Sequence, residues 1–329
     1  MVIRNHFKSA IFPLLLLLFF AGNSLTASAE SAEITLARTA LLHGRVDEAV
    51  STLKPKLAAQ PGDALAHQLL CRAYYAQDLA SQAVQECQLA VSNAPTNSES
   101  QMWLGRAYGL KASHASPFTA LGLARRVHQA FEHAVEMNPE NVYAYSDLGE
   151  FYVAAPGLVG GGIDKAKALA DRMMAHFPAQ SHRLLALIAG RQNDKVTQEA
   201  EFKNAVSVSK SAAALIDLAR FYQEHGDPDL ALSTIHSAIA ADHARDASLV
   251  DAAGVLTAAR RAPDLAERCL REYLASPAMS DEAPAFKVHL QLGNLLAQRG
   301  DIVAAREQYN AAAALASTYA PARKAIQST

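Results

Sequence analysis

The strongest constraint on this chain is a period. LGRAY (104–108), LGEFY (148–152), LARFY (218–222) and LGNLL (292–296) are one pattern written four times. Pro61 and Pro95 lie 34 residues apart, and like residues recur at the same offset: Leu36 with Leu70, Ala37 with Cys71, Gly44 with Asp78, Ala49 with Ala83. A unit this short cannot bury its apolar face alone, so such units must stack into an array with a continuous core. In each unit a small residue (Ala37, Cys71, Gly105, Gly149, Ala219, Gly293) lets a second helix approach. A large one three positions on (Tyr74, Tyr108, Tyr152, Tyr222, Leu296) fills the space beside it. Small residues Ala49, Ala83, Ala166, Ala231 and Ala305 belong to the second helix, and proline ends that helix because its ring breaks the hydrogen-bond ladder.

The pattern resembles the tetratricopeptide repeat (TPR), a helix–turn–helix unit of 34 residues. The resemblance implies an all-α, right-handed superhelical solenoid of about eight units. These fall near residues 30–63, 64–97, 98–141, 142–178, 179–211, 212–245, 246–285 and 286–319, with a capping helix at 320–327. It also implies that the first helix of each unit lines a concave face.

The spacing is interrupted twice. Pro95 to Pro139 is 44 residues and Pro139 to Pro178 is 39, so the third and fourth units are longer than the period. The excess predicts enlarged inter-helix turns after Tyr108 and after Tyr152, side by side on one edge, with Phe118, Leu158 and Val159 packing them together. The second contains Gly160, Gly161 and Gly162. The string GGGIDKA lacks the Gly-Lys-Ser/Thr ending of a phosphate loop, and no strand precedes it. Positive φ angles in a wide turn explain the glycines, while Lys165 and Lys167 near a helix start leave an anion site open as a second reading.

The chain has 329 residues. Arg4 and Lys8, then an apolar run, then Ala27-Ser28-Ala29 form a secretory leader over residues 1–29, cut after Ala29. The expectation is a periplasmic or secreted protein with no stable membrane span after cleavage. Removing the leader leaves 28 basic against 32 acidic residues, a net charge of −4. Nucleic-acid binders show a basic excess, so that partner class is not expected.

Enzyme signatures H-E-x-x-H, G-x-S-x-G and C-x-x-C are missing, and the two S-x-x-K strings (51–54 and 207–210) have no K-T-G after them. No metal or cofactor motif appears; His128 and His133 are five apart, which puts them on different helix faces. Cys71 and Cys87 stand eight residues either side of the turn of unit two. A disulfide, which needs Cα atoms roughly 4.4–6.8 Å apart, and two buried thiols both suit that placement.

Candidate binding residues follow from the register. Arg38, Arg72 and Arg106 are spaced by 34, each one residue after the small residue, and Arg220 takes the same place. This place resembles a concave position of peptide-binding TPR proteins. Three such arginines would form a track for the carboxylates of an extended partner, bordered by Tyr75, Trp103 and Tyr143 and ended by Glu150, which would pair with Arg106. The expected function is a non-catalytic scaffold for a peptide or protein with acidic groups. The alternative is a solute-binding component that holds a small anionic ligand under the two enlarged turns.

Overall fold

The computed structural model describes residues 31–329; the leader and its cut after Ala29 lie outside the described residues. Seventeen α-helices and one 3-10 turn are found among the described residues, with no strand. They form eight antiparallel pairs and a final helix. The pairs are α1 (Ala32–Leu42) with α2 (Val46–Ala59), α3 (Ala64–Ala76) with α4 (Ala80–Asn93), α5 (Ser98–Ser113) with α6 (Pro117–Met137), and α7 (Val142–Ala154) with α8 (Ile163–Met173). They continue with α9 (Pro178–Arg191) and α10 (Lys195–Ser209), α11 (Ala212–Glu224) and α12 (Pro228–Ala241), α13 (Ser248–Ala258) and α14 (Pro263–Leu274), and α15 (Ala285–Gln298) and α16 (Ile302–Leu315). The last helix is α17 (Ala320–Ser328).

The small-then-large rule is visible in the packing. A Cβ added at Gly105 would stand 2.4 Å from the Phe131 ring, and one at Gly293 2.4 Å from the Tyr309 ring. Tyr108, Tyr152 and Tyr222 are buried and tie their units to the preceding one by their hydroxyls. Gln88 donates to Tyr108 at 3.0 Å, and Tyr152 and Tyr222 donate to Glu132 and Glu199 at 2.9 and 3.0 Å. In unit two, Cys71 and Cys87 are joined by a disulfide with Cα atoms 5.2 Å apart, which crosslinks α3 to α4.

The two long units solve their excess differently. In unit three the turn is short, His114–Ser116, and the extra residues extend α5 and α6 instead. The expected enlarged turn is therefore corrected: the insertion is rich in Ala and Leu, which favour helix, and Pro117 at the first position of α6 starts a new helix at once. In unit four the turn is wide. It contains the 3-10 turn Gly157–Val159 and places Gly160 and Gly162 at φ +103° and +148°. A side chain at Gly160 would meet the His128 ring at 2.5 Å, so this turn seats on α6. Val159 is buried, but Phe118 and Leu158 are 90 % and 69 % exposed and do not pack the two segments together as expected.

The superhelix also closes on its own beginning. Phe286 and Tyr319 stack edge-on at 4.9 Å and belong to the same apolar cluster as Leu53 and Leu69 of the first two units. The Ser317 amide donates to Asp47 at 2.8 Å, and Thr318 hydrogen-bonds Gln77. Gly44, at φ +65°, passes so near Ala285 that an added Cβ would lie 2.4 Å from its backbone nitrogen. The α14–α15 loop is thereby carried across the concave side towards α3 and α5.

Candidate binding chamber

The concave side encloses a chamber of about 1100 Å³. One wall is made by α3 and α5, a second by the start of α7, a third by α11 and α13, and the last by the loop from Ala278 to Glu282. The wall helices start where their side-chain caps allow. The Asp63, Asn97, Asn141 and Ser211 side chains accept the backbone N–H of Ala66, Ser100, Ala144 and Ala214, satisfying one orphan donor at each end.

Four of the residues expected from the register meet here. The Arg72 and Arg106 guanidinium groups lie over the Trp103 ring, 5.1 and 4.8 Å from its centroid, and Tyr75 packs edge-on to the same ring at 5.5 Å. Trp103 is 5 % exposed, so most of it is spent in packing although it borders the chamber. Burial pushes the Tyr75 hydroxyl pKa up against the pull of Arg106. Tyr143 stands on the wall 55 % exposed. Arg220 reaches the far wall through Asp251, at 3.8 Å. Arg38, half-buried on α1, is not among the residues that line the chamber.

The open basic track does not form, because each chamber arginine already holds carboxylates of this chain. Arg72 binds Asp281 at 2.6 Å and Glu99 at 3.1 Å. Arg106 forms two bonds to Asp147, at 2.6 and 3.3 Å, and has Glu282 at 3.9 Å. Burial disfavours the Arg106 charge, but Asp147 and Glu282 outweigh it and raise the pKa. Glu150 does not pair with Arg106 as expected. It pairs at 2.7 Å with Arg183, which also binds Asp217 at 2.9 Å, and Asp217 in turn holds Arg220 at 3.3 Å. The result is a ladder of ion pairs running from first helix to first helix.

Several members of this ladder were missed by sequence reasoning. Asp147 and Asp217 stand two residues before Gly149 and Ala219, one repeat position, so a search for acids opposite the arginines would have found them. No local signal marks Asp281 and Glu282, which lie in the α14–α15 loop and arrive through the closure of the superhelix. Around Gly160–Gly162, Lys165 donates to the Gly160 carbonyl at 2.9 Å and lies over the Tyr152 ring at 5.5 Å. That lysine is thus folded onto the turn, and the chamber is lined by other residues.

The family model of the tetratricopeptide repeat matches residues 40–107. That stretch is similar to the tetratricopeptide repeat, and the chain has the TPR solenoid fold. The crystal structure of yeast Tom70 superposes with a TM-score of 0.57 over 92 % of this chain and 65 % of that one, at 17 % identity, so the chain spans just under two thirds of Tom70. A thermophilic TPR protein of Thermus thermophilus is 18 % identical, with a TM-score of 0.45 over 68 % of this chain and 97 % of that one. A TPR protein of Parabacteroides merdae is 13 % identical, with a TM-score of 0.45 over 90 % and 96 %. No curated protein matches the sequence. The likeness to Tom70 establishes the solenoid fold, and no helix among the described residues is long and apolar enough to cross a membrane.

Proposed function

We propose that this protein is an exported, non-catalytic scaffold that takes an extended segment of a peptide or protein partner into its concave chamber. The observation that carries this reading is the chamber itself: about 1100 Å³, walled by first helices of five units, with Tyr143 more than half exposed on its side. An exposed aromatic beside an enclosed groove is the kind of rigid anchor that dominates binding energy. The lining residue Ser98 supports a non-catalytic role, since its hydroxyl donates to the Ala134 carbonyl at 2.7 Å and accepts from Asn141 at 2.8 Å. It is held as a structural link from α5 to α6 and to the residue that caps α7.

The test is selection of random peptides against the intact protein, followed by titration against a plugged variant. Ala213 is exposed and lines the chamber, so Ala213→Trp puts an indole into the space without replacing a residue of the ion-pair ladder. Selected peptides are expected to lose about tenfold or more in affinity, roughly 1.4 kcal/mol, while the melting temperature is unchanged. Tyr143→Ala should act in the same direction. Equal binding to wild-type and plugged protein would remove the chamber from the account.

A further inference from the structure

The chamber has a charge opposite to the one its arginines suggest. Its lining contains six carboxylates, from Glu99, Glu140, Asp246, Asp251, Asp281 and Glu282, against the two guanidinium groups of Arg72 and Arg106. Neither lysine nor histidine is found among the described residues that line it. Both arginines are engaged by two acids each: Arg72 by Asp281 and Glu99, Arg106 by Asp147 behind it and, at 3.9 Å, by Glu282. Asp281 is only 10 % exposed where it meets Arg72. The loop that carries it is pinned: the Ser280 amide donates to the Tyr273 hydroxyl at 2.9 Å, and that hydroxyl donates to the Ala283 carbonyl at 2.8 Å. An acidic ligand would have to displace a tethered, hydrogen-bonded carboxylate to reach Arg72.

The remaining acids face the space. Glu282 and Asp251 are 50 % and 60 % exposed within the chamber. Burial raises the Asp251 pKa, opposed by Arg220 and reinforced by the neighbouring Asp217, Glu282 and Asp246. A concave surface lined by one sign of charge focuses its field into the space it encloses. Tyr143 adds an exposed ring, whose face attracts a cation within about 6 Å.

We infer that the chamber accepts a cationic segment, a stretch of partner chain bearing lysine or arginine, and refuses an acidic one. The inference rests on the scaffold reading for the place of binding; the site is the chamber with its exposed tyrosine, and the carboxylates set the class of ligand. It replaces the acidic partner expected from the arginine register.

Fluorescently labelled hexalysine and hexaglutamate peptides, titrated into the intact protein and followed by anisotropy, test this directly. Hexalysine is expected to bind, about tenfold more weakly at 0.15 M ionic strength than at a few mM, where screening is slight. Ala213→Trp should weaken it by about tenfold or more, as should the triple variant Glu140→Gln, Asp251→Asn, Glu282→Gln, whose positions lie off the Arg72–Asp281 pair. Tighter binding of hexaglutamate, or hexalysine binding untouched by Ala213→Trp, would overturn the inference. The random-peptide selection separates the two claims. Chamber-dependent binders without lysine or arginine enrichment overturn the charge inference and leave the scaffold standing, whereas the absence of any chamber-dependent binder removes both.

Discussion

The Arg72 guanidinium binds the Asp281 carboxylate through Nε at 2.7 Å and Nη2 at 2.6 Å, although the two residues are 209 positions apart. This pair joins unit two to the loop before unit eight. Its side chains are 12 % and 10 % exposed, and removing one partner of a largely buried ion pair leaves the other charge uncompensated. Asp281→Asn is therefore expected to cost about 3 kcal/mol. Hydrogen exchange should rise at the junction of α1 and α2 with α16 and α17 before it rises in the central units. Exchange unchanged at that junction would show that the pair does not hold the superhelix closed.

The bond between Cys71 and Cys87 closes a sequence separation of 16 residues. A loop of that size stabilises by about 3 kcal/mol in the chain-entropy picture. Reduction should lower the melting temperature, and alkylation mass should show labels at these two positions only after reductant. Cys269 is buried, and burial pushes its thiol up to about 11, so it should label slowly in the folded protein. Two labels on Cys71 and Cys87 in the unreduced protein would disprove the bond.

Two glycines of α5 provide a matched comparison. A Cβ at Gly105 would lie 2.4 Å from the Phe131 ring, whereas one at Gly109 would meet nothing within 4 Å. Gly105→Ala is expected to destabilise by about 1–3 kcal/mol through overpacking. Gly109→Ala should stabilise by roughly 0.5–1 kcal/mol, because it removes backbone freedom from the unfolded chain without a clash. Urea unfolding of both variants checks the signs; a destabilising Gly109→Ala would refute the argument.

A histidine on the first helix meets the second helix 19 residues on in three units: His67 with Glu86, His182 with Glu201, and His289 with Gln308, at 2.7, 2.7 and 2.8 Å. Burial lowers the His289 pKa from its ordinary 6.5, opposed by the Gln308 bond. A lowered folded value means that the folded state binds the proton less readily than the unfolded chain. The stability it contributes is present above the ordinary value and is lost as pH falls through the folded one. The melting temperature should therefore fall below about pH 6.5, and less so in His289→Gln. Gln308→Glu supplies the carboxylate found in the other two units and should reduce or reverse the loss. Identical pH profiles in all three proteins would count against His289.

The period alone determined that the chain is helical, that its helices pair, and that the pairs stack. Those properties follow from residues within one unit and its neighbour, such as Gly105 against Phe131. The same local logic placed Arg72, Arg106 and Arg220 on first helices and brought Trp103 and Tyr75 beside them. It misread the insertion after Tyr108, because Ala- and Leu-rich sequence that breaks a register need not break a helix. The acids of the α14–α15 loop that face Arg72 and Arg106 were decided only by the tertiary structure. Small rotations between successive units accumulate until unit eight meets unit one, and that curvature brings Asp281 and Glu282 across the chamber. No repeat position encodes this meeting, since it depends on the sum of the interfaces between them, and it turns a row of arginines into an acidic chamber.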